Sequence, residues 1–329
     1  MTQLPPPGAD TSRIRRLLVS RKVQILFNGG FGLALLAVAV VSARHFVHDG
    51  WPLHHADPWP LLGSGLLFLL AYLPKALGWQ RLFHEHERPA AGALAFAGGA
   101  ACVGGVALPG RFDDALRIAV VKRYPGTRTG LGTLGISLLV LGMLDNAALT
   151  PLASVAAADA SSWTARAGFA VVAGAGILAA GLVAFLPRLA RTRHVLRFRL
   201  GRWLAGHTHC TKEAWAAWLL VSVSWALRGT GVFLLLDALS MHGSFPLALA
   251  FLCASAASAA LPIAPAGAAT QAGAGAGILV LSGVGTAEAI AFSVAAQALV
   301  VVTGAAVILL IAAWQLALRV RPRLARAPA

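Results

Sequence analysis

Apolar runs and polar breaks alternate along the whole of this 329-residue chain. Runs from about Gln24 to Ala43, Trp59 to Leu82, Leu131 to Ala156, Ala167 to Leu186, Ala214 to Leu239 and Thr286 to Leu318 each have the length of a bilayer-crossing helix, which takes about 20 residues. The first of them is longer than a signal-peptide core. Two further apolar stretches are interrupted. Ala91 to Leu108 stops at Pro109-Gly110, and 246–283 is split by Pro262, Pro265 and Gly267. The pattern predicts an all-α polytopic membrane protein. It has about six full spans plus two re-entrant broken-helix hairpins, or eight to nine spans if the hairpins cross. Residues 24–318 form a single transmembrane domain between two basic tails, 1–23 and 319–329.

Charge decides between these topologies. The segment 187–213 carries seven Lys/Arg and one acid, and Arg319, Arg321, Arg323 and Arg326 follow the last run. Both belong on the cytoplasmic side by the positive-inside rule, as does the N-terminal tail. The segment 187–213 is expected to lie as an amphipathic helix on anionic lipid. The segment 109–130 has five Lys/Arg against two acids. If the preceding run crossed fully, those cations would lie outside. A run that enters, turns at Pro109-Gly110 and returns keeps them inside. The second broken stretch then opens from the opposite side. Leu108-Pro109 recurs as Leu261-Pro262, 153 positions later, so the two breaks read as an inverted repeat with a site between them.

Composition agrees. Some 58% of residues are hydrophobic and only 12% are charged, about half the charged share of a soluble domain. The net charge of +15 therefore reads as membrane-flanking positive charge, with no nucleic acid partner expected. Three cysteines without a CxxC pair support neither a disulfide framework nor a cysteine zinc site. The HTHC stretch, 207–210, is weak as a metal site, and no cofactor or metal is expected.

The candidate chemistry lies in the few charges near apolar segments, where ionisable residues are usually retained for function. Arg111 and Arg117 offer planar donor forks for a phosphate. The freed backbone near Pro109 and Gly110 adds N–H groups. The competing reading is that Asp113 and Asp114 neutralise the arginines in a solvated turn. Asp145 lies mid-helix, either as a partner to an arginine, to Asn146 or to backbone, or as a proton or amine site. Arg228 lies mid-span and needs a partner, with Asp145 and Asp237 as candidates. Glu288 is expected to favour the positive end of the last helix. Lys75 is expected to snorkel to the inner surface. The Gly273–Gly277 run reads as close helix packing.

ALPGRFDDALRIAVVKR, from Ala107, resembles the LPGRxGExxRxxLLRR segment of the lysylphosphatidylglycerol synthase transmembrane region, a flippase-like family. LGWQRLF resembles that family's LRWxxLL helix end, and LPIAPAGAATQAG resembles its LPxxPGGxGxxE segment. By this resemblance Pro109, Gly110, Arg111, Asp114 and Arg117 carry over, with Asp114 for Glu, and so do Pro265 and Gly267. Asp113 replaces a usual Gly. Ala266 and Ala269 stand where Gly is usual, and Ala272 where Glu is frequent. Leu141 and Gly142 occupy the places of an ER pair before Asp145, so a mechanism that needs that Glu does not transfer.

The resemblance implies translocation of lipid between leaflets. The aminoacyl transfer domain of bifunctional relatives is not expected here, because only a basic tail follows residue 318. The expectation is an inner-membrane flippase or lipid-linked transporter, not an enzyme, acting on anionic headgroups. The substrate-binding set is Arg111, Arg117, Pro109, Gly110, Asp114, Asp145, Arg228, Pro265 and Gly267. The alternatives are a membrane-embedded lipid- or isoprenoid-modifying enzyme, or a non-catalytic partner of a hopanoid or glycolipid biosynthetic enzyme. A homo-oligomer is a further possible assembly.

Overall fold

The computed structural model describes residues 56–107, 112–160, 162–190, 211–241, 243–260 and 267–324. These lie in the compact unit His55–Ala329. Nine α-helices occur among the described residues: α1 Pro58–Gln80, α2 Ala91–Ala107, α3 Phe112–Arg123, α4 Leu131–Asp159, α5 Trp163–Ala190, α6 Thr211–Ala238, α7 Phe245–Ala260, α8 Gly267–Leu281 and α9 Thr286–Leu324. The protein is an all-α, multi-pass membrane protein. Five helices are long and apolar enough to span: α1, α4 and parts of α5, α6 and α9. They match five of the six predicted spans. The sixth, 24–43, lies outside the described residues, as do the N-terminal tail, Pro109, Gly110, Arg111, Pro265, HTHC and most of the predicted surface helix.

The short helices sit where the interrupted runs do. α2 has 17 residues and α7 has 16, about 25 Å at 1.5 Å per residue. That falls short of a hydrocarbon core of about 30 Å. The charged segment after the first break is helix α3, with Asp113 and Asp114 in its first turn and Lys122 and Arg123 in its last. Where the competing reading puts these charges in a turn, they lie on a helix, and Asp113 and Asp114 pair with Arg117 as that reading holds. Carboxylates at the N-terminus and cations at the C-terminus complement the helix dipole. Three helix boundaries also shift. α5 runs to Ala190, α6 begins at Thr211 and α9 continues to Leu324, so helix extends past the apolar runs into the basic flanks.

Helix order repeats. α1, α2, α3 and α4 begin at 58, 91, 112 and 131, and α6, α7, α8 and α9 at 211, 245, 267 and 286. The separations are 153, 154, 155 and 155 residues.

The seam between α1 and α6 organises the interior. Ser64, Ala71 and Gly78 recur every seven residues on α1, and Ala217, Ser224 and Gly231 do so on α6. All six are buried. Ser64 Oγ donates to the Gly231 carbonyl at 2.6 Å, and Ser224 Oγ to the Ala71 carbonyl at 2.8 Å. A Cβ on Gly78 would lie 3.1 Å from the Ala217 carbonyl oxygen. These contacts pair the two helices antiparallel. Lipid supplies no hydrophobic drive between helices, so close backbone approach through small residues does this task. The opposite face of α1 presents Leu62, Leu66, Leu70 and Leu73, all exposed, as a lipid-facing stripe.

A second close approach joins α2 to α9. A Cβ on Gly99 would lie only 2.6 Å from the Gly304 carbonyl oxygen. Phe251 of α7 meets Phe292 of α9 edge-on, with ring centroids 4.9 Å apart. At one end of the fold, Thr129 Oγ1 donates to the Glu87 carbonyl at 2.6 Å and Thr133 Oγ1 to the Glu87 carboxylate at 3.2 Å. The α1–α2 loop is thereby tied to the start of α4.

Gly99→Ala is expected to destabilise the fold by about 1–3 kcal/mol, because backbone is forced apart. Gly142→Ala, at an exposed site with nothing within 4 Å, is expected to be neutral or slightly stabilising. Thermal unfolding of both variants in detergent checks this.

Candidate functional site

The seam brings two polar–aromatic pairs to one depth. Tyr72 and Lys75 are three residues apart on α1, and Trp225 and Arg228 are three apart on α6. Residues at that spacing share a helix face. α4 adds Asp145, midway along its length.

Lys75 Nζ donates to both oxygens of Asp145, at 2.9 and 3.0 Å. Trp225 Nε1 donates to Asp145 Oδ1 at 2.8 Å. The carboxylate thus takes three hydrogen bonds from two different helices. An unpaired carboxylate in an apolar interior is costly, and paired donors offset that cost. Nearer one end of α1, Trp79 Nε1 donates to Ser137 Oγ at 2.9 Å, which donates to the Leu134 carbonyl at 2.8 Å. These bonds fix the register of α4 against α1.

Arg228 is held differently. Its guanidinium carbon lies 5.6 Å from the Tyr72 ring centroid and 5.5 Å from that of Trp225. Both are cation–π distances. Lys75 Nζ lies 5.3 Å from the same Trp225 ring. Among the described residues, no carboxylate forms a salt bridge with Arg228. Its Nε is buried without a hydrogen-bond partner, and so is the Tyr72 hydroxyl. Tyr72 is only 5% exposed. Cys102 and Thr303 lie beside that hydroxyl, but neither meets hydrogen-bond geometry. Buried donors without partners are rare and call for an explanation.

The structure changes several expectations. Arg228 pairs with neither Asp145 nor Asp237, because Lys75 and Trp225 take Asp145 and Asp237 is exposed on a later turn. Lys75 does not snorkel outward; it turns to the carboxylate. Asn146 Nδ2 bonds the Gly142 carbonyl of its own helix at 2.9 Å and leaves Asp145 alone. Glu288 stands in the first turn of α9, as expected for a dipole partner. Gly267 is the first residue of α8.

Arg117 is partly enclosed. It reaches Asp114 at 3.0 Å and Asp113 at 3.7 Å, both on its own helix. The cluster as folded joins the sequence-predicted Asp145 and Arg228 with Lys75, Tyr72 and Trp225, while Arg117 pairs with Asp114 on α3. Two of these had a signal in the sequence. A lysine amid apolar residues and an aromatic three residues from an arginine both stand out. That both reach Asp145, 70 residues from Lys75 and 80 from Trp225, had none.

Residues 17–308 match the family described as the lysylphosphatidylglycerol synthase TM region. No curated protein and no solved structure matches the chain.

Lys75→Met leaves Asp145 without its cation and is expected to cost more stability than the double variant Lys75→Met/Asp145→Asn. The coupling is expected to be about 0.5–3 kcal/mol. A double-mutant cycle on detergent unfolding measures it.

Proposed function

This chain belongs to the lysylphosphatidylglycerol synthase TM region family, and on that premise we propose that it moves an anionic phospholipid, or a lipid-linked anion, between leaflets. One observation carries the reading. A cationic, aromatic-lined cluster lies among α1, α4 and α6, and it includes two buried donors without a hydrogen-bond partner, Arg228 Nε and the Tyr72 hydroxyl. A headgroup phosphate supplies acceptor oxygens and negative charge together. Acyl chains remain in lipid while the headgroup uses the polar path.

The architecture supports a translocator. The repeated helix order and the antiparallel α1–α6 pairing fit an inverted repeat. Such repeats place substrates near the midplane, beside broken helices. The breaks between α2 and α3 and between α7 and α8 correspond in the two halves. On this reading both termini lie in the cytoplasm, which the basic flanks support, and the membrane is the inner one. Movement is passive or ion-coupled.

The enzyme reading is weaker for a structural reason. Asp113 and Asp114 hold Arg117, and Asp145 holds Lys75. These carboxylates serve as counter-ions in two separate groups, one at Arg117 and one at Lys75. The reading as a non-catalytic partner would suit an Arg117 facing water, whereas its side chain is only 24% exposed.

The test is translocation of labelled anionic lipids in vesicles that contain the purified protein. Wild type is expected to equilibrate the label. Arg228→Gln is expected to slow it about tenfold or more, a loss of about 1.4 kcal/mol, with unfolding temperature retained. Arg117→Ala is expected to slow it less, because that guanidinium is already held by two carboxylates. No movement by folded wild type across several lipid classes would sink the reading.

A further inference from the structure

We propose that Asp145 is a counter-ion shared between two cations: it holds Lys75 in this conformation and Arg228 in a second one, and the change of partner accompanies interchange of the two halves. The inference rests on the translocation reading and deepens it by naming the step that converts one access state into the other.

The repeat supplies the first observation. An offset of 153 residues carries α1 onto α6. It carries Tyr72 onto Trp225 and Lys75 onto Arg228, and it carries Ser64, Ala71 and Gly78 onto Ala217, Ser224 and Gly231. Ser224 Oγ donates to the carbonyl of its own counterpart, Ala71, at 2.8 Å, so the two helices cross at equivalent positions. The cations follow the same symmetry. Lys75 Nζ lies 5.3 Å from the Trp225 ring centroid, and the Arg228 guanidinium carbon lies 5.6 Å from that of Tyr72. Each cation thus lies against an aromatic ring of the other helix.

The anions do not follow it. An offset of 155 residues carries α4 onto α9 and Asp145 onto Val300. Glu288, in the first turn, is the one acid in the sequence of α9. Two equivalent cations at the crossing therefore have one carboxylate between them. Arg117, with Asp113 and Asp114 against it, forms a separate group on α3.

Geometry lets the carboxylate serve both cations. Trp225 Nε1 donates to Asp145 Oδ1 at 2.8 Å, and Arg228 is three residues further along the same face of α6. The Trp225 ring lies against both cations. A carboxylate that turns from Lys75 to Arg228 keeps its indole donor. It trades an ammonium for a guanidinium fork, which suits carboxylate oxygens. The freed Lys75 keeps the Trp225 face, as Arg228 keeps the Tyr72 and Trp225 faces in this conformation. Both arrangements contain one ion pair and one ring-held cation, and two discrete packings of like composition are what a switching element needs. The exchange removes the charged tie between α1 and α4 and adds one between α4 and α6. Inverted repeats alternate by moving one group of helices against the other around a fixed site.

The experiment is a set of double-mutant cycles on the unfolding of the full chain in detergent. With Lys75 in place, Asp145→Asn and Arg228→Gln are expected to be nearly additive. In a Lys75→Met background the same two substitutions are expected to couple by about tenfold or more in the unfolding equilibrium constant, because Arg228 then takes the carboxylate. Lys75→Gln, which leaves the same vacancy with a polar side chain, gives a second background. Additivity in all backgrounds overturns the inference.

Charge reversal separates a shared counter-ion from a fixed clamp. Lys75→Asp/Asp145→Lys rebuilds the ion pair with its polarity exchanged, and unfolding is expected to recover relative to either single variant. Label movement in vesicles is expected to stay about tenfold slower than wild type, because the partner on α4 then carries a positive charge that Arg228 repels. Movement at the wild-type rate by the reversed pair overturns the inference. Coupling in the Lys75→Met background, without movement of any lipid by wild type, retains the shared counter-ion and defeats the translocation reading. Movement by wild type without that coupling does the reverse.

Discussion

Everything in this fold answers to one constraint: a charge inside a bilayer has to find its counter-charge in the protein. The Asp145 carboxylate does so through Lys75 and Trp225. That requirement ties α4 to both α1 and α6, so the three helices cannot shift relative to one another without exposing an ion to lipid. The pair is therefore a structural clamp as well as part of a site. Breaking such a pair usually costs more than never having had it.

The clamp works because the neighbouring backbones are close. Ser64, Ala71 and Gly78 on one helix meet Gly231, Ser224 and Ala217 on the other. Larger residues at those positions would part α1 and α6 and move Trp225 away from Asp145. Small residues thus have an electrostatic consequence one turn away. Packing places the ring of Trp225, and the ring serves two charges: its N–H faces Asp145 and its face meets Lys75 and Arg228.

Much of this fold was legible in the sequence, for physical reasons that hold locally. Spanning helices declare themselves by length and hydropathy, so α1, α4, α5, α6 and α9 fall where the apolar runs do. In the sequence, Pro109-Gly110 follows the end of α2 and Pro262 that of α7, for equally local reasons. Pairing was less legible. Arg228 and Asp145 were each recognised as needing a partner, yet nothing in a single sequence says that Lys75 would reach Asp145 first. Lysine's flexible stem makes an outward path as plausible as an inward one. The α1–α4 register decides the matter, and it is set by Trp79 and Ser137, one turn along α1 from Lys75. The heptad of small residues was visible in principle, but its meaning depends on a second helix 153 residues away.

The site also shows why counting charges differs from locating them. Arg117 belongs to the motif that carries the family resemblance, yet in this fold it already rests against Asp113 and Asp114. Arg228 lies outside that motif, and among the described residues no carboxylate neutralises it. A buried cation of that kind persists only if aromatic faces share its charge or a ligand completes it. Tyr72 and Trp225 supply the first. The unpartnered Nε and hydroxyl show that the first is not enough, since ring faces do not satisfy N–H and O–H donors as an oxygen does.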